Sequence, residues 1–344
     1  MNNTVPSAQD WKNLYNTTDT FKKLQCWKWM TDSDVFGVQN PETGDVSYCC
    51  IMGMNEEFYG LAAYSNTQGL NTYLKIQSGE LLPENDDLMF LQDCLILSFE
   101  NREYVQKEDM KIIKDLALKF RGRNQWPVFR NYKPGYHPWF LTKDEVAFFT
   151  TILVQATDVA TRCKTNRDLL NPPDDGVYLV RVPRKEAGSV IWKDEWCAPA
   201  EPVKNECFDP QPINEIHVRR IKKASYRQNG ALELDFFFTP TPVQEKRGQR
   251  PYYPYALALV DHESGLVMDM ALAPQEEWQK TLQAKLFEHI DTSKTIPLQI
   301  LARKEEIAAF LQPILSTLNI KLSFVESLEN MDSFRKALRQ QFDG

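Results

Sequence analysis

The 344-residue sequence has no long apolar run and few of the groups on which enzymatic chemistry usually depends. Its longest apolar stretches, such as residues 145–156 (EVAFFTTILVQA), fall short of the roughly 18–20 residues that span a bilayer. The opening MNNTVPSAQDWKNLY lacks the basic start and apolar core of a secretory signal, so a cytoplasmic location is expected. There are only four histidines, His137, His217, His262 and His289, and no Gly-x-Ser-x-Gly elbow, which leaves little for histidine-assisted nucleophilic catalysis. Neither Gly-x4-Gly-Lys-Ser/Thr nor Gly-x-Gly-x2-Gly occurs, so the common phosphate cradles are missing. No close pair of cysteines has zinc-site spacing. Cys197, Cys207 and His217 share one region but fit no ligand pattern, and neither a metal nor a cofactor is expected. The seven cysteines are odd in number and scattered, which points to reduced, mostly buried thiols rather than a disulfide framework.

What is present describes a globular chain. A hydrophobic share of 42% beside 25% charged residues leaves little room for disorder. The net charge of −7 argues against wholesale polyanion binding, although a local basic patch remains compatible with it. Single cores stop growing near 250–300 residues, so two domains are expected, 1–205 and 206–344, joined within a proline-rich stretch near 200–213. Periodicity predicts helices within 8–31 and over 67–79, 105–120 and 142–164, the last opened by the capping pair Thr142 and Glu145. Strands are predicted at Val35–Val38, Val46–Met52, Tyr59–Tyr64, Cys94–Phe99 and Val177–Val182. In the second half, one hairpin is predicted from Ile216–Ala224 to Leu232–Phe238 and another from Tyr255–Asp261 to Leu266–Ala273. An αβαβα tail follows. The fold class is therefore mixed α/β (α+β): a helix-flanked antiparallel sheet domain, then a mixed-sheet domain with helices packed on it.

The strings YCCIMGMNEEFYGLAAY and ALALVDHESGLVMDMALAP carry a resemblance. The first resembles one domain, and the second another, of a bacterial two-domain family in which both domains have unknown function. That resemblance implies a two-domain cytosolic protein and supplies no functional residue. By element order alone, the C-terminal part is similar to the ribonuclease H-like fold, whose active members hold divalent metals on several carboxylates. That likeness makes Tyr255–Asp261 the first strand, leaves the usual third strand unseen, and puts Arg303 and Lys304 where an acid is expected.

Two sets of residues compete as a site. The carboxylate set is Asp261 at a strand end, Asp269 in the next strand and Glu276 or Glu277 on the following helix, with Asp235 as a further candidate. A two-metal hydrolase needs three or four such acids to converge, whereas an aspartate in Asp261-His262-Glu263-Ser264-Gly265 more often shapes its turn. The other set is the run 119–140, KFRGRNQWPVFRNYKPGYHPWF, with five cations, seven aromatic rings and no acid. Its binding candidates are Arg121, Arg123, Trp126, Arg130, Tyr132 and Lys133. Cations and rings build single-strand nucleic-acid surfaces and protein interfaces alike. They also suit a proline-fixed loop whose cations neutralise the acidic stretch 80–103. A second basic run, Arg219-Arg220 and Lys222-Lys223, is expected to guard the open face of a strand.

The preferred expectation is a non-catalytic binding protein with a protein partner; nucleic acid is the lesser partner and no membrane is involved. The alternative is an active or degenerate metal-dependent nuclease.

Overall fold

A computed structural model describes residues 5–80, 90–186, 188–201 and 214–342. The chain forms two compact units. One comprises residues 1–134 and 138–202, the other residues 135–137 and 203–344. The expected join near 200–213, with Cys207 and the proline-rich stretch around it, falls largely outside the described residues. No described helix is long and apolar enough to cross a membrane.

The first unit is built on a seven-stranded sheet of order β5-β4-β3-β2-β1-β6-β7. Its strands are β1 (Phe36–Gln39), β2 (Val46–Met52), β3 (Gly60–Ser65), β4 (Cys94–Glu100), β5 (Trp126–Tyr132), β6 (Tyr178–Glu186) and β7 (Ser189–Cys197). Every neighbouring pair is antiparallel except β1 with β6, so the sheet is mixed rather than purely antiparallel. Strand pleating decides which face each side chain meets. In β2, Cys49 and Ile51 join the larger core, while Tyr48 and Cys50 join the smaller one on the other side. Helices α1 (Ala8–Leu24), α3 (Lys107–Asp115) and α4 (Lys143–Thr165) contribute to the larger core, and α2 (Asn66–Gln77) to the smaller. Both long helices open with a capping box. Ser7 accepts from the Asp10 N–H in α1, and Thr142 from the Glu145 N–H in α4.

Three sequence expectations fail in this unit. The helix expected over 105–120 stops at Asp115: Ala117 turns left-handed and the Leu118 N–H reaches back to the Ile113 carbonyl, closing the last turn. The run 119–140 is not one loop, because its middle is strand β5 on β4. Residues 189–197, for which no strand is predicted, form β7 and complete a hairpin with β6.

The second unit carries a five-stranded sheet of order β11-β10-β9-β13-β14. These are β9 (Ala231–Phe238), β10 (Tyr255–Asp261), β11 (Val267–Ala273), β13 (Gln299–Ala302) and β14 (Lys321–Phe324). A two-residue ribbon, β8 (Arg227–Gln228) with β12 (Thr295–Ile296), lies apart from that sheet. β9, β10 and β11 form an antiparallel meander, and β13 and β14 then add in parallel through helical crossovers. Helices α5 (Glu215–Lys223), α6 (Trp278–Ser293) and α7 (Glu306–Thr317) bury their apolar sides in one core, and α8 (Glu329–Phe342) packs over a smaller one on the other face.

The element order read for this unit from the sequence needs one correction. The first strand is β9, not Tyr255–Asp261, and the third strand that was not evident is β11. The reading of Ile216–Ala224 as a strand is also overturned. Asn214 caps α5 by accepting from the His217 N–H, and Val218 and Ile221, one turn apart, are buried. The basic run therefore lies on the outer side of a helix, where Arg219 pairs with Glu215 and Arg220 with Asp291.

Candidate functional site

The acids of the carboxylate set are engaged separately. Asp261 accepts from the Ser264 N–H at 2.8 Å and from its hydroxyl at 2.6 Å, and these bonds hold its carboxyl below the usual range. It shapes its turn. Asp269 lies 3.2 Å from the Lys285 ammonium. Glu277 is the N-cap residue of α6, and Glu276 accepts from the Tyr136 hydroxyl. His262 does not turn toward Ser264; its Nδ1 lies 2.8 Å from the carboxylate of buried Glu233, which also accepts from the Met331 N–H at the start of α8. Among the described residues, no group of three or more His, Cys, Asp or Glu is placed to hold a metal ion.

Asp235, the further acid candidate, is fully buried in β9. Three cations surround it: Arg303 at 2.7 Å, Lys304 at 3.4 Å and Arg335 at 3.9 Å. Arg303 follows β13, the strand beside β9, and its other guanidinium nitrogen reaches Asp332 at 2.7 Å. Burial opposes the charge on Arg303, and its bonds to Asp235 and Asp332 outweigh that cost and raise its pKa. A charge buried this deeply is tolerable only when paired. Asp235 is thus committed to protein cations.

The basic–aromatic residues do not share one surface. Trp126 is half-buried at the start of β5, its ring packed on Phe120 at 5.8 Å and beneath the Arg102 guanidinium at 5.3 Å. Tyr132 packs against the smaller core on the opposite face. Arg130 does not face outward as a binding residue must. It is buried, donates two bonds of 2.9 and 2.7 Å to Asp109 and stacks over Phe140. Arg121, Arg123 and Lys133 are exposed. Of the acidic stretch, Glu84, Asp86 and Asp87 lie outside the described residues, and Glu80 pairs with Lys75 instead.

Arg123 belongs to a different grouping. It lines an open groove of about 570 Å³ with Asp19, Lys22, Lys23, Trp27, Lys28, Tyr59, Phe99 and the chain at Gln25, Asn124 and Gln125. Trp27 sits 5.3 Å from Tyr59 and 5.9 Å from Phe99, so the three rings form one cluster in the groove wall. The Lys22 ammonium lies 4.6 Å above Phe99 and donates to the Gln125 carbonyl at 3.0 Å. Partial burial lowers its pKa to about 8. Lys23 is tied loosely to Asp19 at 2.6 Å, with both side chains more than half exposed. Four cations against one acid make this a positive site on a chain whose net charge is −7. Sequence reading missed it because its walls come from α1 with the turn that follows it (Cys26–Lys28), from β4, and from the loops before β3 and β5. The string FKKLQCWKW, 21–29, was the available signal, since it interleaves rings and lysines as densely as the run around Arg123.

Comparison with curated proteins returned no match. Two family matches divide the chain much as its two sheets do. Residues 11–181 match one family, running from α1 into β6, and residues 217–339 match another, running from α5 into α8. The chain thus carries, in order, a domain of unknown function of the DUF7309 family and a domain of unknown function of the DUF6930 family.

Proposed function

We propose that this is a non-catalytic binding protein that holds an acidic segment of a protein partner in the groove of its first unit. The observation that carries this reading is the meeting of Lys22, Lys23, Lys28 and Arg123 around a wall of Trp27, Tyr59 and Phe99. Flexible lysine ammoniums on an open rim suit carboxylates. Trp27 and Phe99 are buried behind them and form the floor, and half-buried Tyr59 is the ring placed to meet a side chain beside the acids. The groove's volume falls within the range of about 300–1,000 Å³ typical of ligand sites.

A fluorescent oligoglutamate peptide, titrated by anisotropy, tests it. Binding should saturate, weaken with salt and be absent for an oligoglutamine control. Exposed ion pairs are each worth about 0.2–1 kcal/mol, so the triple variant Lys23→Glu, Lys28→Glu and Arg123→Glu should lose at least about tenfold in affinity. Affinity should also fall from pH 7 to pH 9. Lys22 is protonated below its pKa of about 8 and neutral above it, so attraction is present at the lower pH and lost at the higher. Unchanged affinity in the triple variant defeats the proposal. Tighter binding of a single-stranded oligonucleotide at the same residues would replace the acidic peptide with nucleic acid.

The strand succession of the second unit favours a second reading, descent from a metal-dependent nuclease. We propose the inactive form of that reading, because Asp235 is engaged by Arg303, Lys304 and Arg335.

A further inference from the structure

Strand β11 ends the second unit's sheet, and among the described residues nothing pairs with its outer edge. It is also apolar where a free edge is usually guarded. Val267, Met268, Met270 and Leu272 are 42, 43, 40 and 53% exposed, and Leu266 just before them is 64% exposed. Soluble proteins commonly protect such edges with charges, proline, bulges or very short strands. β11 has seven residues with no lysine or proline, its one acid, Asp269, is held by Lys285, and its one register shift lies at its start, before Asp269–Ala273. Met270 and Leu272 lie opposite Ala258 and Ala256, which belong to the core beneath α8, so the apolar strip continues that buried layer outward to the edge.

The strip is complementary to itself. Opposed residues in an antiparallel pair share a face, so two copies of β11 related by a two-fold axis can meet only in certain registers. The register shift in the β10–β11 ladder lies at Leu259/Val260, which leaves Asp269–Ala273 as regular strand. Centring the axis on Ala271 places Met270 against Leu272 twice on the exposed face and Asp269 against Ala273 on the other. No charge meets its like, and Asp269 keeps Lys285 on its own helix side.

We infer that β11 is the contact of a homodimer, in which two copies of the chain join edge to edge into one continuous ten-stranded sheet. This partner is the chain itself and does not involve the groove of the first unit.

Sedimentation across a range of concentrations tests the inference. The intact chain should show a reversible doubling of its 39.9 kDa mass, and Met270→Lys with Leu272→Lys should remain at the single mass with unchanged far-UV circular dichroism. Ala271→Cys supplies a second arm. Mild oxidation should link the introduced thiol to its symmetry mate, and hydrogen exchange at 269–273 should slow as concentration rises. A chain of single mass at every concentration overturns the inference. So does a dimer that survives the lysine pair, or protection at 269–273 that is independent of concentration, since either result puts something else on this edge.

Discussion

Arg130 shows how one residue can look like function and serve structure. In the sequence it is a cation among rings. In the fold it is sealed beside Asp109, 21 residues earlier, with both side chains almost completely covered. Asp109 works twice, since it also accepts from the Gln106 N–H that opens α3. Removing one partner leaves a buried charge unpaired, at a cost of about 3–5 kcal/mol. Arg130→Ala should therefore lower the denaturation midpoint sharply while leaving acidic-peptide affinity intact in the folded fraction. A mild loss of stability, or a loss of binding alone, would contradict this assignment. The pairing was not legible because nothing in a linear run announces which distant carboxylate will meet a guanidinium. Arg123, in the same run, stays exposed and lines the groove, and composition alone cannot separate the two.

At the scale of elements, what could be read was whatever a local rule dictates. The Thr142–Glu145 box placed α4, and alternation gave β2, β3, β4 and the β10–β11 hairpin within a residue or so. The failures have physical causes. Ile216 and Val218 alternate like a strand, but Val218 and Ile221 are also one helical turn apart, and the Asn214 cap decided for the helix; Ile216 is left 82% exposed. β5 was hidden because Arg130 interrupts its apolar pattern. The candidate site was less legible than the fold, since its groove draws on four segments. One close approach leaves a testable mark on the sheet. A Cβ on Gly60 would stand 2.1 Å from the Leu97 carbonyl oxygen of the neighbouring strand, which only glycine avoids. Overpacking of this kind costs about 1–3 kcal/mol or more, so Gly60→Ala should lower the thermal midpoint of the protein measurably. An unchanged midpoint would mean that β3 and β4 can separate freely.

For the molecule as a whole, the described cysteines all belong to the first unit, and Cys26, Cys49, Cys50, Cys94 and Cys163 are buried and free. They are spread over both faces of its sheet. Burial pushes the Cys26 and Cys50 thiols up to about 12 and Cys163 to about 11, so at pH 8 almost none is thiolate. These five should stay unmodified by a thiol reagent in the folded protein and become reactive together, at one denaturant midpoint, as read by mass spectrometry. Half-buried Cys197 should react first. Staggered midpoints would show that the seven-stranded sheet does not open as one cooperative body.

The place of β9 has a consequence for synthesis. It is the middle strand of its sheet and nearly all buried, yet its partner β13 lies about sixty residues downstream. A ribosome releases β9, β10 and β11 together, and their meander can close while β13 is still unmade. For several seconds, at a synthesis rate of about 5–20 residues per second, the edge of β9 at Ala231–Glu233 waits open on the nascent chain. That interval, rather than the finished fold, leaves the middle strand of this sheet open to mispairing.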